Sequence, residues 1–131
     1  MFSKILADVY SVFATTEWQA TGVTGLPSNY QGNLPPEFAR ISVLPARGQV
    51  FSHGSTKKLS GLVIISLFVK AGNGEGRSFA LAGILSKIMD KKTMANGTQF
   101  EVGSITHQGL DEINKALFRV NYSINFTIYG E

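Results

Sequence analysis

Residues 116–129, ALFRVNYSINFTIY, alternate strictly. Phe118, Val120, Tyr122, Ile124, Phe126 and Ile128 fall on one side, and Arg119, Asn121, Ser123, Asn125 and Thr127 on the other. A period of two marks a strand with one buried and one wet face, and the wet face here carries one charge, Arg119. At the start of the chain the period is helical instead. Phe2, Ile5, Leu6, Val9, Val12 and Phe13 form a stripe with Lys4, Asp8 and Ser11 off it, which predicts a helix over residues 2–14.

Between these ends the pattern changes several times. Residues 15–37 are rich in Gly, Pro, Ser and Asn and show no period, so a long irregular loop is expected, with Trp18 and Tyr30 as its large anchors. Trp18 is read as folded back onto the core; Tyr30 suits either the core or an interface, where tyrosine is enriched. FARISVL (38–44) reads as a short strand ended by Pro45, and residues 46–58 as a polar, basic loop. LSGLVIISLFVK (59–70) is apolar on both faces in its middle, as in a strand covered on both sides. The two strands and their connection make a hairpin. A second helix is predicted over residues 77–92. Leu81, Ile84, Leu85 and Ile88 form its stripe, and Lys87, Lys91 and Lys92 sit near its end, where cations complement the helix dipole. Asn96-Gly97 then turns the chain into a weaker strand over residues 98–106. The order helix, strand, strand, helix, strand, strand indicates an α+β domain spanning 1–131. It should have a mixed, mainly antiparallel sheet of about four strands with two helices packed on one face, and the strand–helix–strand middle leaves room for one parallel pair.

Composition narrows the classes. With 131 residues, 44% apolar and 16% charged, the chain fits one globular domain. It has no cysteine, so disulfides and thiolate metal sites are excluded. A net charge of +3 permits contact with nucleic acid without arguing for it. The opening residues carry Lys4 and Asp8 inside the apolar pattern, unlike a signal peptide or a membrane span, so manufacture in the cytoplasm is expected.

Candidate chemistry is sparse. Gly72, Gly74 and Gly76 lie between a strand and a helix, the layout of a nucleotide-binding loop. The phosphate-binding lysine of a P-loop is missing, Arg77 stands where a dinucleotide fingerprint needs its third glycine, and Glu75 puts a negative charge where phosphate would sit. A connector is the stronger reading; an anion at the helix N-terminus, helped by Arg77, is the weaker. His53 and His107 lack a second ligand at metal spacing, and Asp111-Glu112 reads as a solvated pair in a turn. No catalytic, cofactor or metal site is expected.

The order of elements resembles the tail terminator (tail completion) proteins of long-tailed, non-contractile bacteriophages, the group related to lambda's terminator. The stretches carrying the likeness are LPPEFARISVLP (34–45), GLVIISLFVKAGNGEG (61–76), RSFALAGILSKIMDKK (77–92) and RVNYSINFTIYGE (119–131). The resemblance implies a hexameric ring on the head-proximal end of the tail tube, assembled in the host cytoplasm and carried in the virion. The ring would stop tube growth and dock the head completion protein. DNA would pass through it without sequence-specific binding, and no cofactor, reaction or membrane is involved. Within that frame Arg47, His53, Lys57 and Lys58 are expected on a loop facing the lumen or a partner. Tyr30, Leu62, Ile64, Phe68, Glu75 and Arg77 are candidate subunit contacts. Arg119, Asn121, Ser123, Asn125 and Thr127 form the wet strand face. Another tube or neck component, and a small nucleic-acid-binding module, are the alternatives.

Overall fold

The computed structural model describes residues 2–27, 30–33, 37–50, 57–70, 76–110 and 117–130. Among them are three helices and six strands: α1 (Phe2–Phe13), the single-turn α2 (Thr16–Gln19), β1 (Thr24–Pro27), β2 (Phe38–Val50), β3 (Lys57–Lys70), α3 (Gly76–Met89), β4 (Gln99–Phe100), β5 (Ser104–Leu110) and β6 (Leu117–Gly130). The protein is mixed α/β with one six-stranded, mostly antiparallel sheet. The strands run β1-β2-β3-β6-β4, and β5 also pairs with β6. β3 and β6 pair along their whole lengths, from Lys57 opposite Gly130 to Lys70 opposite Leu117.

Side-chain alternation on these strands decides which face is filled. Val63, Ile65, Leu67 and Val69 of β3 share one cluster with Tyr122, Ile124, Phe126 and Ile128 of β6 and with Ala39 and Ile41 of β2. Ile5, Val9, Val12 and Phe13 of α1 and Leu81, Ala82, Leu85 and Met89 of α3 belong to the same cluster. The helices therefore pack on this face. The facing of β6 follows its sequence alternation, with Val120 through Ile128 buried at every second position.

The stretch over 15–37 is more ordered than its composition suggests. Thr15 caps α2 by accepting a hydrogen bond from the Trp18 backbone N–H. Trp18 is fully buried, meets Phe13 edge-on at 5.1 Å, and donates its indole N–H to the Val23 carbonyl at 2.9 Å. This anchoring delivers the chain into β1, whose parallel pairing with residues 38–41 of β2 is the only parallel pair among the described strands. The parallel pair thus lies before the first hairpin, not across the strand–helix–strand middle.

Three further expectations are corrected. β2 does not stop at Pro45: it continues to Val50 with a register shift between Pro45 and Arg47. Beyond Ile41 its outer edge has no partner among the described strands, and an edge strand with a bulge tolerates a residue lacking an N–H. Within the expected 46–58 loop, residues 46–50 and 57–58 are therefore strand, and 51–56 lie outside the described residues. Residues 98–106 split into β4 and β5. Between them the Glu101 N–H bonds the Asn125 carbonyl and the Gly103 N–H bonds Asp90. α3 ends at Met89 rather than at 92, because Lys91 takes φ 58° and its N–H turns to the Glu101 carbonyl.

Asp8 also departs from its expected place on the wet side of α1. It is 1% exposed, and its carboxylate accepts the backbone N–H groups of Asn96 at 3.0 Å and Thr98 at 3.2 Å. One buried charge thereby ties the first helix to the turn before β4.

Two substitutions test this packing. Phe126→Ala should cost about 3–5 kcal/mol by emptying a core site, read by chemical denaturation. A Cβ at Gly61 would sit 2.5 Å from the Leu44 carbonyl oxygen and 2.7 Å from the Phe126 ring. Gly61→Ala should therefore destabilise by about 1–3 kcal/mol through overpacking, although alanine is ordinarily the better strand residue.

Candidate functional surface

The sheet face turned away from the helices is built in rows set by the pairing register. Phe38, Phe68 and Arg119 form one row across β2, β3 and β6; Arg40, Ser66 and Asn121 form the next, with Thr106 of β5 beyond. Then come Ser42, Ile64, Ser123 and Ser104, followed by Leu44, Leu62 and Asn125. Ser60 pairs with Thr127, and Lys58 with Tyr129, toward the far end.

The first two rows are tightly organised. The Phe38 and Phe68 rings stack with centroids 4.6 Å apart and form a small second cluster with Leu26, flanked by Tyr30 and Leu117. The Arg40 guanidinium lies 5.8 Å from the Phe38 ring and that of Arg119 lies 5.5 Å from the Phe68 ring. Both cations gain from the ring quadrupoles. Arg119 also donates to Asn121 and to Ser66, each at 3.3 Å, and Ser66 donates to Asn121 at 2.9 Å. Arg40 is less satisfied: its Nε is shielded from solvent and has no hydrogen-bond partner. The next rows change character. Leu44 is 49% exposed, and Leu62 and Ile64 are half-buried between short polar side chains. Near the far end a depression of about 330 Å³ is lined by Lys58, Ser60, Leu62, Glu101, Asn125 and Thr127 among others.

The expected site residues divide accordingly. Arg119, Asn121, Ser123, Asn125 and Thr127 lie together on this face, as alternation requires. Leu62 and Ile64 are on it and partly exposed, whereas Phe68, 6% exposed, is consumed by its stack on Phe38. Tyr30 leans on that cluster and donates its hydroxyl to the Asn33 carbonyl at 3.0 Å. Arg77 is occupied inside the chain, donating to the Thr21 carbonyl at 2.9 Å and pairing with Glu37 at 3.3 Å. Arg47 and Lys57 are strand residues, opposite Ser60 and Val50, not members of a projecting loop; Lys58 is in β3 opposite Gln49. His53 and Glu75 lie outside the described residues. Phe38, Arg40 and Leu44 were missed, although the alternation of FARISVL contains them.

A second polar knot sits on the helix side. Asp90, at the end of α3, accepts hydrogen bonds from Ser86, from the Tyr122 hydroxyl at 2.5 Å and from the Gly103 N–H at 3.0 Å. Burial alone pushes its carboxyl up. The Ser86, Tyr122 and Gly103 donors and the Lys91 charge outweigh that, so it titrates below the ordinary aspartate range. Burial, reinforced by Asp90, pushes the Tyr122 hydroxyl up, which keeps it a donor. Gly103 has no room for a side chain against the Tyr122 phenol. The arrangement closes on itself through these three donors. Among the described residues no three His, Cys, Asp or Glu come together, and no helix is long and apolar enough to cross a membrane.

No protein-family model matches the chain, and no curated protein does. Eleven solved chains match. One, whose name states no function, superposes with a TM-score of 0.68 over 98% of this chain and 95% of its own, at 15% identity. A likeness at that identity is a likeness of fold.

The Asp90 knot gives a signed prediction. A depressed carboxyl contributes stability above the ordinary aspartate pKa of about 3.9, and that contribution is lost as pH falls through the depressed value. Asp90→Asn should lower stability at pH 7 by about 1–3 kcal/mol and flatten the pH dependence of unfolding on the acid side of about pH 4. Denaturant melts from pH 7 down to pH 2 read both effects.

Proposed function

We propose that this chain is a structural subunit of a bacteriophage tail, forming a ring on the head-proximal end of the tail tube as tail terminators do. In this reading it catalyses nothing. Its partners are further copies of itself, the tube protein and a head completion protein, and DNA passes through the ring without being read. The supporting observation is the half-covered sheet. Helices fill one face, while the other keeps Leu44, Leu62 and Ile64 partly exposed in a field of serine and asparagine. Apolar positions left open at the middle of a sheet suit a chain that finishes its burial in an assembly. For contacts between copies the helix layer offers Leu6 and Phe79, each 44% exposed.

The finer expectation of two main helices on one face belongs to the same reading, with α1 and α3 as those helices. Of the candidate contacts, Leu62 and Ile64 carry most of this reading, joined by Leu44. A second reading, a nucleic-acid-binding module, is favoured by one observation: Arg40, Lys58, Lys70 and Arg119 occupy open-face positions of the register.

Electron microscopy of the purified protein, alone and mixed with tail tubes, tests the proposal. Six-fold rings, or density capping one tube end, are expected. Continuous filaments would identify a tube protein instead, and a monomer that never decorates tubes would overturn the reading. Ser123→Asp and Asn125→Asp should melt within about 0.5 kcal/mol of wild type, as exposed substitutions do. They should nevertheless give tails of irregular length or tails that fail to join heads.

A further inference from the structure

We propose that the open sheet face is a docking surface for an acidic amphipathic segment of a different protein. Its apolar side would lie on Leu44, Leu62 and Ile64, and its carboxylates would reach Arg40 and Arg119. The inference goes beyond the ring reading: it uses the same open face and gives it to a different protein rather than to a neighbouring copy.

Among the described residues, the open face carries more cations than carboxylates. Arg40, Lys58, Lys70 and Arg119 take open-face positions on β2, β3 and β6. The described carboxylates are elsewhere or spoken for. Asp8 and Asp90 are held by backbone and side-chain donors, Glu37 is paired with Arg77, and Glu17 is on α2. Only Glu101 reaches this face, at its far end beside Lys58. Arg40 and Arg119 therefore have no anionic partner among the described residues.

Their geometry suits carboxylates. The two arginines sit two strands apart and two residues offset, about 12 Å between Cα atoms by strand spacing. Each is steadied against one ring of the Phe38–Phe68 stack, so little rotamer freedom is lost on binding. The Nε of both arginines is turned into the protein, shielded in Arg40 and bonded to Asn121 in Arg119, so an incoming carboxylate would meet the outer guanidinium nitrogens in charge-assisted hydrogen bonds. Beside this basic end lies the apolar triad. An apolar centre with arginine next to it is the make-up of a protein interface.

Two other occupants fit less well. Among the exposed apolar positions of a second copy, Leu6 and Phe79 stand on helices where Lys4 and Lys87 are also exposed, and its own Leu44 stands on the same basic face, so at these positions like charge would meet like. A nucleic acid would cover Leu44, Leu62 and Ile64 with phosphate and sugar. It would also find no aromatic platform at the basic end, since Phe38 and Phe68 are 2% and 6% exposed.

The test uses the full chain, isotope-labelled for NMR, and an 18-residue helical peptide with leucine along one side and glutamate on the other. Saturable binding is expected, with shifts confined to residues 40–44, 60–66 and 119–125. Arg40→Gln and Arg119→Gln should each weaken binding about 10-fold or more, the worth of a charge-assisted hydrogen bond. Arg119→Lys should lose less, and Ile64→Ser should weaken binding with the charges intact. Thermal melts separate these losses from unfolding, and a peptide with lysine for glutamate should not bind. Arginine variants that bind like wild type, shifts on the helix side, or no binding would each overturn the proposal. So would a 20-base-pair duplex that displaces the peptide with a log–log salt slope of about −3 to −4, which would give the face to nucleic acid. Microscopy reads ring formation separately, so a failure of this proposal is distinguishable from a failure of the ring reading.

Discussion

The fold depends on β3 being hydrogen-bonded along both edges. β2 pairs with it from Phe38 opposite Phe68 to Val50 opposite Lys57, and β6 pairs with it over all fourteen residues. Because side chains alternate, this double register fixes which side of all three strands faces the helices. A one-residue slip of β6 would turn Tyr122, Ile124, Phe126 and Ile128 outward and bring Asn121, Ser123 and Asn125 under α3. The apolar cost would be several side chains at about 1.5–3 kcal/mol each, comparable to the whole stability of a domain. Gly61 marks how close the register runs, since it leaves space only for the Leu44 carbonyl and the Phe126 ring.

Polar closures then hold the helix layer to this frame. Asp8 reaches from α1 to the turn before β4, and Asp90 reaches from the end of α3 to Gly103 and Tyr122. Both carboxylates accept backbone N–H groups that have left regular pairing. The breaks between α3, β4 and β5 are thus satisfied by side chains instead of by a continuous ladder. This is why a stretch that reads as one weak strand folds as two short ones. The chain leaves β6 at Glu101 and rejoins it at Ser104, and the interruption is bonded, not idle.

How much of this the sequence carried depends on whether the signal was local. β6, α1 and α3 were legible because periodicity records burial directly. β2 past Pro45 was not, because proline forbids only one N–H, and whether that N–H is needed depends on a neighbour strand that ends at Pro27. Residues 15–27 hid a helical turn and an edge strand, because their order comes from one long-range anchor, Trp18, rather than from a repeating pattern. Asp8 looked like surface because it breaks an apolar stripe; its partners lie 88 and 90 residues away. Arg77 looked like a subunit contact, and its partners Thr21 and Glu37 are likewise distant in sequence. The candidate face was half legible: β6 supplied Arg119 through Thr127, while Arg40 and Leu44 joined it only through register.

The apolar excess of β3 shows why that register matters for function. Read alone, LVIISLFV suggests a strand buried on both faces. The structure divides the second face in two. At one end Phe68 is matched by Phe38 and sealed by Leu26, Tyr30 and Leu117, so its burial is complete within one chain. At the middle Ile64 meets Ser42 and Ser123, too short to cover it, and Leu62 meets the polar Asn125 and Leu44, itself 49% exposed. Hydrophobicity alone would not tell these two groups apart. The difference is that the first has aromatic partners in register and the second does not. The face is thus finished at one end and open at its centre, with Arg40 and Arg119 ordered at the boundary by the same aromatic pair.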